Sequence, residues 1–409
     1  MMLPVASKDG EDLHVVAVVW EVERSVVRFE RSDGKEAVFE IEQSLELAAG
    51  ELRRSTWRRD ASSLVIETYR GDQINVELPQ AHDFSPVRDR TVIYLDQKDW
   101  SNVAWAIHDP DRCTSRSEFD AAHQLIRLRS EDKVLLPMSS AHMSETCKWQ
   151  DDSARYPLAL TILQLSGGWQ IRDPLEVRLN EIRDALKTRF NIRADDARGV
   201  VTLDPSAIHS ARRPPVPVPD DFPPDIAHTH AVLTAASANL ATMLDRESTP
   251  MDGVPGWSER AQGFSDWLRS AELEPEQRRA STDVFFLHDL HLEIASAAST
   301  VGITVRQLGA WVSSGMWTDI AAMPALGLFR QVLYHKLVDN SRRFSSNDLV
   351  DMMYLTVGAG YCDFVVTDRE ATDKLRKAQT RLGRSATVVS SLSRLIELLV
   401  TEGLVVTAA

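Results

Sequence analysis

The sequence predicts an α/β protein with a parallel sheet, preceded by a small all-β domain and interrupted by a large helical segment. Three observations lead there. Residues 1 to about 85 are short β-type runs punctuated by turn signals, whereas from residue 90 apolar strands alternate with amphipathic helices. That alternation lapses near residue 150 and resumes near 345. The expected divisions are therefore 1–85, a small β barrel or sandwich; 90–150 with 345–409, one discontinuous α/β domain; and 151–344, a mostly helical insertion.

In the first division, His14–Trp20, Val26–Arg31 and Ala37–Glu42 are strand-like, with Asp33-Gly34 as a hairpin signal. Leu64–Arg70 and Gln73–Leu78 form a second pair, making about five strands. Between the pairs lies ELRRSTWRRD, where Arg53, Arg54, Arg58 and Arg59 surround Trp57. Cations for phosphate and an aromatic for stacking suit a nucleic-acid contact. The same residues also read as a solvated loop anchored by one tryptophan.

After the linker AHDFSPVRDR come strand Thr91–Leu95, helix Lys98–Ile107, helix Glu118–Arg129 and strand Lys133–Pro137. A serine-capped helix follows over 139–149 and carries Glu145. Leu175–Phe190 is the clearest helix of the insertion, and helical patterns recur at 226–245, 261–271, 282–301 and 325–339. The proline-dense run 212–224 reads as a stiff extended linker. From Asn347 the order is a helix broken at Gly358 and Gly360, strand Phe364–Thr367, helix Glu370–Thr380, strand Thr387–Ser390 and helix Ser393–Val400.

Composition narrows the function. The 409 residues carry a formal charge of -14, which argues against a protein that simply coats nucleic acid. Cys113, Cys147 and Cys362 show no CxxC spacing, so neither a zinc site nor a disulfide framework is expected. The opening MMLPVASKDGED lacks a signal-peptide pattern, and no apolar run approaches a membrane span. A cytoplasmic protein without membrane contact is expected. No GxxxxGK[ST], GxGxxG or GxSxG occurs.

Two strands end on acids, Asp96 and Asp368, and helix starts carry Glu145, Asp348 and Asp351. Strand ends and following helix starts are where open α/β sheets expose residues to a crevice. Carboxylates gathered there repel one another unless a hard cation such as Mg²⁺ or Mn²⁺ joins them. Ordinary acids at helix N-termini, satisfying the helix dipole, are the competing explanation.

The run IYLDQKDW…LLPMSSAHMSE…NDLVDMMYLTVGAGYCDFVVTDRE…VVSSL resembles the PIN-like ribonuclease superfamily. The resemblance covers roughly 91–150 and 345–400. It implies a three-layer α/β/α domain and a Mg²⁺- or Mn²⁺-dependent ribonuclease, of the kind that serves as a toxin, RNA-processing enzyme or defence effector. By position Asp96, Glu145, Asp351 and Asp368 match the catalytic acids, with Asp96, Asp348, Asp351 and Asp368 as metal ligands. Lys98, Asp99, His142, Arg369 and Glu370 are auxiliary candidates. Lys98 stands where many relatives carry a small polar residue, and Arg369 where many carry the last acid.

Two alternatives remain. A haloacid-dehalogenase-type phosphatase needs a second acid at position 98, where Lys98 would deprive it of its general acid. A degenerate PIN-like module would act by binding a partner through the β domain and the insertion, which also read as a lid or dimer surface. His288 with His291, and His228 with His230, are pairs without a third ligand.

Overall fold

A computed structural model of the chain describes residues 14–40, 51–61, 63–78, 87–193, 199–209, 236–244, 256–339 and 343–404. The proline-dense run, His228 with His230, and most of the expected helix 226–245 lie outside these residues.

Six strands make the N-terminal sheet: β1 (Val15–Glu21), β2 (Val26–Arg31), β3 (Glu36–Glu40), β4 (Leu52–Arg58), β5 (Ser63–Thr68) and β6 (Gln73–Glu77). All pairs are antiparallel, in the order β3-β2-β1-β4-β5-β6, so two three-stranded meanders join along β1 and β4. One sheet thus replaces the expected barrel or sandwich. The sixth strand comes from ELRRSTWRRD, which sequence patterning took for a connection. A bulge between Leu52 and Arg54 breaks its alternation, so exposed arginines conceal an inner face of Leu52, Ser55 and Trp57.

The second sheet contains β7 (Thr91–Leu95), β8 (Val134–Leu135), β11 (Phe364–Val366) and β12 (Val388–Val389), all parallel, in the order β12-β11-β7-β8. Between β7 and β8 run α1 (Gln97–His108) and α2 (Arg116–Ser130). After β8 come α3 (Ser140–Cys147), α4 (Asp152–Ser166) and β9 (Gln170–Ile171). A parallel bridge from Met138 to Gln170 sets β9 beside the end of β8, so the alternation continues past residue 150 into the expected insertion. Then follow α5 (Pro174–Arg189), β10 (Val201–Thr202), antiparallel to β9, and the helical residues 236–244 (α6).

Helices α7 (Trp257–Ser270), α8 (Pro275–Val301), α9 (Val305–Ser314), α10 (Met316–Ala322) and α11 (Pro324–Val338) follow. Sequence patterning had no counterpart for α9 and α10. The chain then forms α12 (Asp348–Tyr361), α13 (Arg369–Arg381) and α14 (Leu392–Thr401).

Successive strand residues point to opposite faces, and here they feed two separate cores. Ile93, Leu95, Val134, Phe364, Val366 and Val389 pack with residues of α1, α2, α4 and α14. Val92, Tyr94, Leu135, Val365 and Val388 pack with residues of α5, α8, α11, α12 and α13. The first core also takes Leu64, Ile66, Ile74 and Val76, so the N-terminal sheet is docked on the α/β unit. At the junction Gly168 has φ +93°, and a Cβ there would lie 2.6 Å from Val76 Cγ1, so glycine permits both the conformation and the approach.

Polar groups clamp α5, α11 and α12 to one another. The buried Glu181 carboxylate of α5 accepts the N–H groups of Ala325 and Leu326 at the start of α11, at 2.6 and 2.8 Å, and the Tyr361 hydroxyl at 2.8 Å. Gly358 and Gly360 do not break α12, contrary to expectation. Their missing side chains admit neighbours: a Cβ would meet the Tyr94 ring at 3.1 Å from Gly358, and the Pro324 backbone at 2.8 Å from Gly360.

Candidate functional site

Strand β7 ends at the buried Leu95 and hands the chain to α1 through Asp96. Asp96 caps that helix: Oδ1 accepts the Gln97 N–H at 2.8 Å, and Oδ2 accepts the Thr367 hydroxyl at 2.7 Å. Its own N–H donates to Val366 O. The carboxylate is thereby fixed at the C-terminal ends of β7 and β11.

Asp96, Glu145 and Asp351 line one small pocket with Tyr94, Gln97, Ala141, His142, Tyr354 and Leu355. Glu145 arrives on α3 and Asp351 on the first turn of α12. Burial raises all three carboxyls above the usual range. Asp96 is raised further by Asp368, and Glu145 by Asp96. Asp351 is pushed up to about 7 by burial and then by Glu145, Asp96 and Asp348. Lys148 opposes the rise at Glu145 and Asp351, with its ammonium 3.1 Å from Asn347 Oδ1. Carboxyls in which burial and mutual repulsion coincide within one cleft are the pattern of a functional site.

The other expected acids stand apart from this pocket lining. Asp368 is exposed and caps α13, accepting the Ala371 N–H at 2.9 Å. Asp348 pairs with Lys336 at 3.0 Å and accepts the Ser345 N–H at 2.7 Å. Arg369 is exposed, and Glu370 pairs with Lys374 at 2.6 Å. The Lys98 ammonium lies 3.4 Å from both Ser390 O and Asp99 Oδ1. Asp99 is fully buried, neither oxygen has a hydrogen-bond partner, and burial pushes its carboxyl up to about 7.

His142 lines the pocket, yet both ring nitrogens are engaged. Nδ1 accepts the Ser139 N–H at 3.1 Å, leaving Nε2–H to donate to Leu95 O at 2.9 Å. Burial pushes its pKa down to about 3, so the ring is neutral. Its place in the fold is that of a capping and packing residue, stacked on Tyr94 at 5.2 Å.

Sequence reasoning missed Gln97, Thr367, Tyr94, Tyr354 and Lys148. Gln97 Nε2 donates to Thr146 at 3.0 Å, which leaves its buried Oε1 without a partner. Its place next to Asp96 at the start of α1 was the available signal. Tyr94 and Tyr354 hydroxyls bond Ser139 and Ser140, fixing the pocket wall to the start of α3.

In donor chemistry the pocket suits a hard cation, since carboxylates and an orphaned amide oxygen are the ligands such ions take. Among the described residues, however, no three His, Cys, Asp or Glu side chains are grouped as a metal ion would require. The paired His288 and His291 are exposed on α8, and His291 Nδ1 lies 2.5 Å from His288 O. In the N-terminal sheet, Arg54 pairs with Glu67 and Arg58 with Asp60, while Arg53 and Arg59 are exposed. Trp57 is partly buried and packs against the core. No described helix is long and apolar enough to cross a membrane.

No protein-family model, curated protein or solved structure matches this chain.

Proposed function

We propose that the chain is a PIN-like, Mg²⁺- or Mn²⁺-dependent ribonuclease. The observation that carries this reading is one pocket lined by Asp96, Glu145 and Asp351, whose carboxyls are all raised by burial, Glu145 also by the charge of Asp96 and Asp351 also by those of Glu145 and Asp96. The strand order supports it: β7, first of the parallel strands, has β8 on one side and β11 on the other, and the acids lie at the strand ends where that order reverses. Helices on both faces of this sheet agree with a three-layer domain.

Asp96, Glu145 and Asp351 are the acids that would hold an ion, but only once their carboxylates close on it, since among the described residues no three are grouped for one; Asp368 stands by as an exposed acid. When bound, Mg²⁺ or Mn²⁺ supplies Lewis-acid stabilisation of phosphodiester oxygens. Thr367 orients Asp96, and Glu145 orients the attacking water at its carboxylate. The Tyr94, Tyr354 and Leu355 side chains form an apolar wall that limits bulk water. Service as a toxin or defence effector would fit this activity.

A second reading, a degenerate PIN-like module that binds a partner through the β domain or the helical region, is favoured by two observations. Asp368 is committed to capping α13, and the acids are not grouped as ligands among the described residues. Labelled single-stranded and hairpin RNAs, incubated with Mn²⁺, with Mg²⁺ and with EDTA, separate the two. Cation-dependent cleavage supports the nuclease; tight binding of intact RNA under all three conditions supports the module.

A further inference from the structure

Helices α8, α11 and α13 bring together cations that lie far apart in sequence. Arg279 comes from α8, Arg330 from α11, and Lys374, Lys377 and Arg381 from α13. In a chain of formal charge -14, such a gathering needs a cause. Carboxylates compensate only part of it. Asp283 takes Arg330 at 2.7 Å and lies 3.9 Å from Arg279, while Lys374 is shared by Glu370 at 2.6 Å and Asp339 at 3.5 Å.

Lys377 and Arg381 are exposed, one helical turn apart, and among the described residues no carboxylate is ion-paired with either. Asp373 stands one turn before Lys377 without pairing to it. The excess charge registers on His335, whose pKa is lowered by burial and then by Lys377, Arg279, Lys374 and Arg381, with no carboxylate opposing.

We infer that this face, formed by α8, α11 and α13, binds the phosphate backbone of single-stranded RNA and leads it along α13 to the acidic pocket. The identity of the polyanion rests on the ribonuclease reading; the charge of the face does not. The helix supplies the route, because α13 starts immediately after Asp368. At 1.5 Å per residue, Lys374, Lys377 and Arg381 lie about 9, 14 and 20 Å along its axis from that acid. An acidic enzyme acting on an acidic polymer needs such a track, since the pocket itself repels phosphate.

The test is equilibrium binding of a short fluorescein-labelled oligouridylate in EDTA, which prevents cleavage, over a salt series. The Lys377→Glu/Arg381→Glu protein is expected to bind at least ~tenfold more weakly at low salt. Its log–log salt slope should fall by about 1.4, which is 0.7 for each lost phosphate contact. Reversal of the exposed Arg127 on α2 should change neither quantity. Melting temperatures check that the variants fold, and both substituted side chains are exposed. Unchanged affinity in the double variant, or no binding by the unmodified protein, overturns the track even if RNA is cleaved. Tighter binding of oligodeoxythymidylate than of oligouridylate overturns RNA as its occupant. Binding that depends on the two cations, without cleavage when Mn²⁺ is added, removes the nuclease reading and leaves the track standing.

Discussion

The hydroxyl of Thr367 donates to Asp96 Oδ2 at 2.7 Å, joining residues 271 positions apart. Thr367 is fully buried, so water cannot replace this donor without a rearrangement. The bond ties Asp96, just past the end of β7, to Thr367, just past the end of β11, and with the Gln97 N–H fixes the Asp96 carboxylate. Replacing Thr367 by valine keeps the shape and removes the donor. The loss should cost about 1.5–3 kcal/mol, the range for a hydrogen bond to a charged group. Chemical denaturation should register that loss, and RNA cleavage should slow. Thr367→Ser should restore both; a valine protein as stable and active as the original would contradict this role.

Asp351 gives the protein a particular dependence on pH. Its carboxyl is pushed up from 3.8 to about 7. Between those values the native state binds the proton more tightly than the unfolded chain, so stability falls as pH rises through the window. Asp99 contributes in the same direction, its carboxyl also being pushed up to about 7. In EDTA the denaturation midpoint should therefore drop from about pH 5 to about pH 8. Asp351→Asn should flatten the drop and stabilise the protein at the upper end, by on the order of 2 kcal/mol. Mn²⁺ should stabilise the original protein more than the asparagine variant, because only the former offers the full donor set. A midpoint indifferent to pH in both proteins would contradict the buried, mutually repelling acids.

Three helix glycines separate packing from propensity. At Gly263 in α7 a Cβ would meet nothing within 4 Å, so Gly263→Ala should stabilise by about 0.5–1 kcal/mol. At Gly360 a Cβ would lie 2.8 Å from the Pro324 backbone, and at Gly358 3.1 Å from the Tyr94 ring. Gly360→Ala must therefore push α11 away from α12 and should cost about 1–3 kcal/mol. Gly358→Ala should cost less, since a ring yields more readily than backbone. Thermal melts of the three variants decide the order; equal shifts at all three would show that close packing is not what these positions need.

The parts of the fold legible in the sequence were those with a local signature. Thr91–Leu95 and Phe364–Val366 stood out because buried parallel strands are continuous apolar runs, and their closing acids were visible in the same glance. Strand β4 was hidden because Arg53, Arg54 and Arg58 outweighed its inward residues and a bulge interrupted the alternation. The glycines of α12 were misread because a gap left for a neighbour and a helix break look alike without the neighbour. Asp96, Glu145 and Asp351 do share a pocket, as their places in the α/β alternation suggested. Thr367 and Gln97 carried no signal of their own, since a hydroxyl and an amide acquire meaning only from the partner the fold supplies.

Cleavage of a labelled single-stranded RNA in Mn²⁺ by the unmodified, Asp96→Asn and Asp351→Asn proteins tests the central claim most directly. Each substitution removes a carboxylate from the pocket while keeping the side chain's shape. The expected result is Mn²⁺-dependent cleavage that EDTA abolishes and that each substitution lowers by at least about a hundredfold, on the order of 3 kcal/mol of transition-state stabilisation. Cleavage that persists in EDTA, or at an undiminished rate in both variants, would contradict an active site built on Asp96 and Asp351.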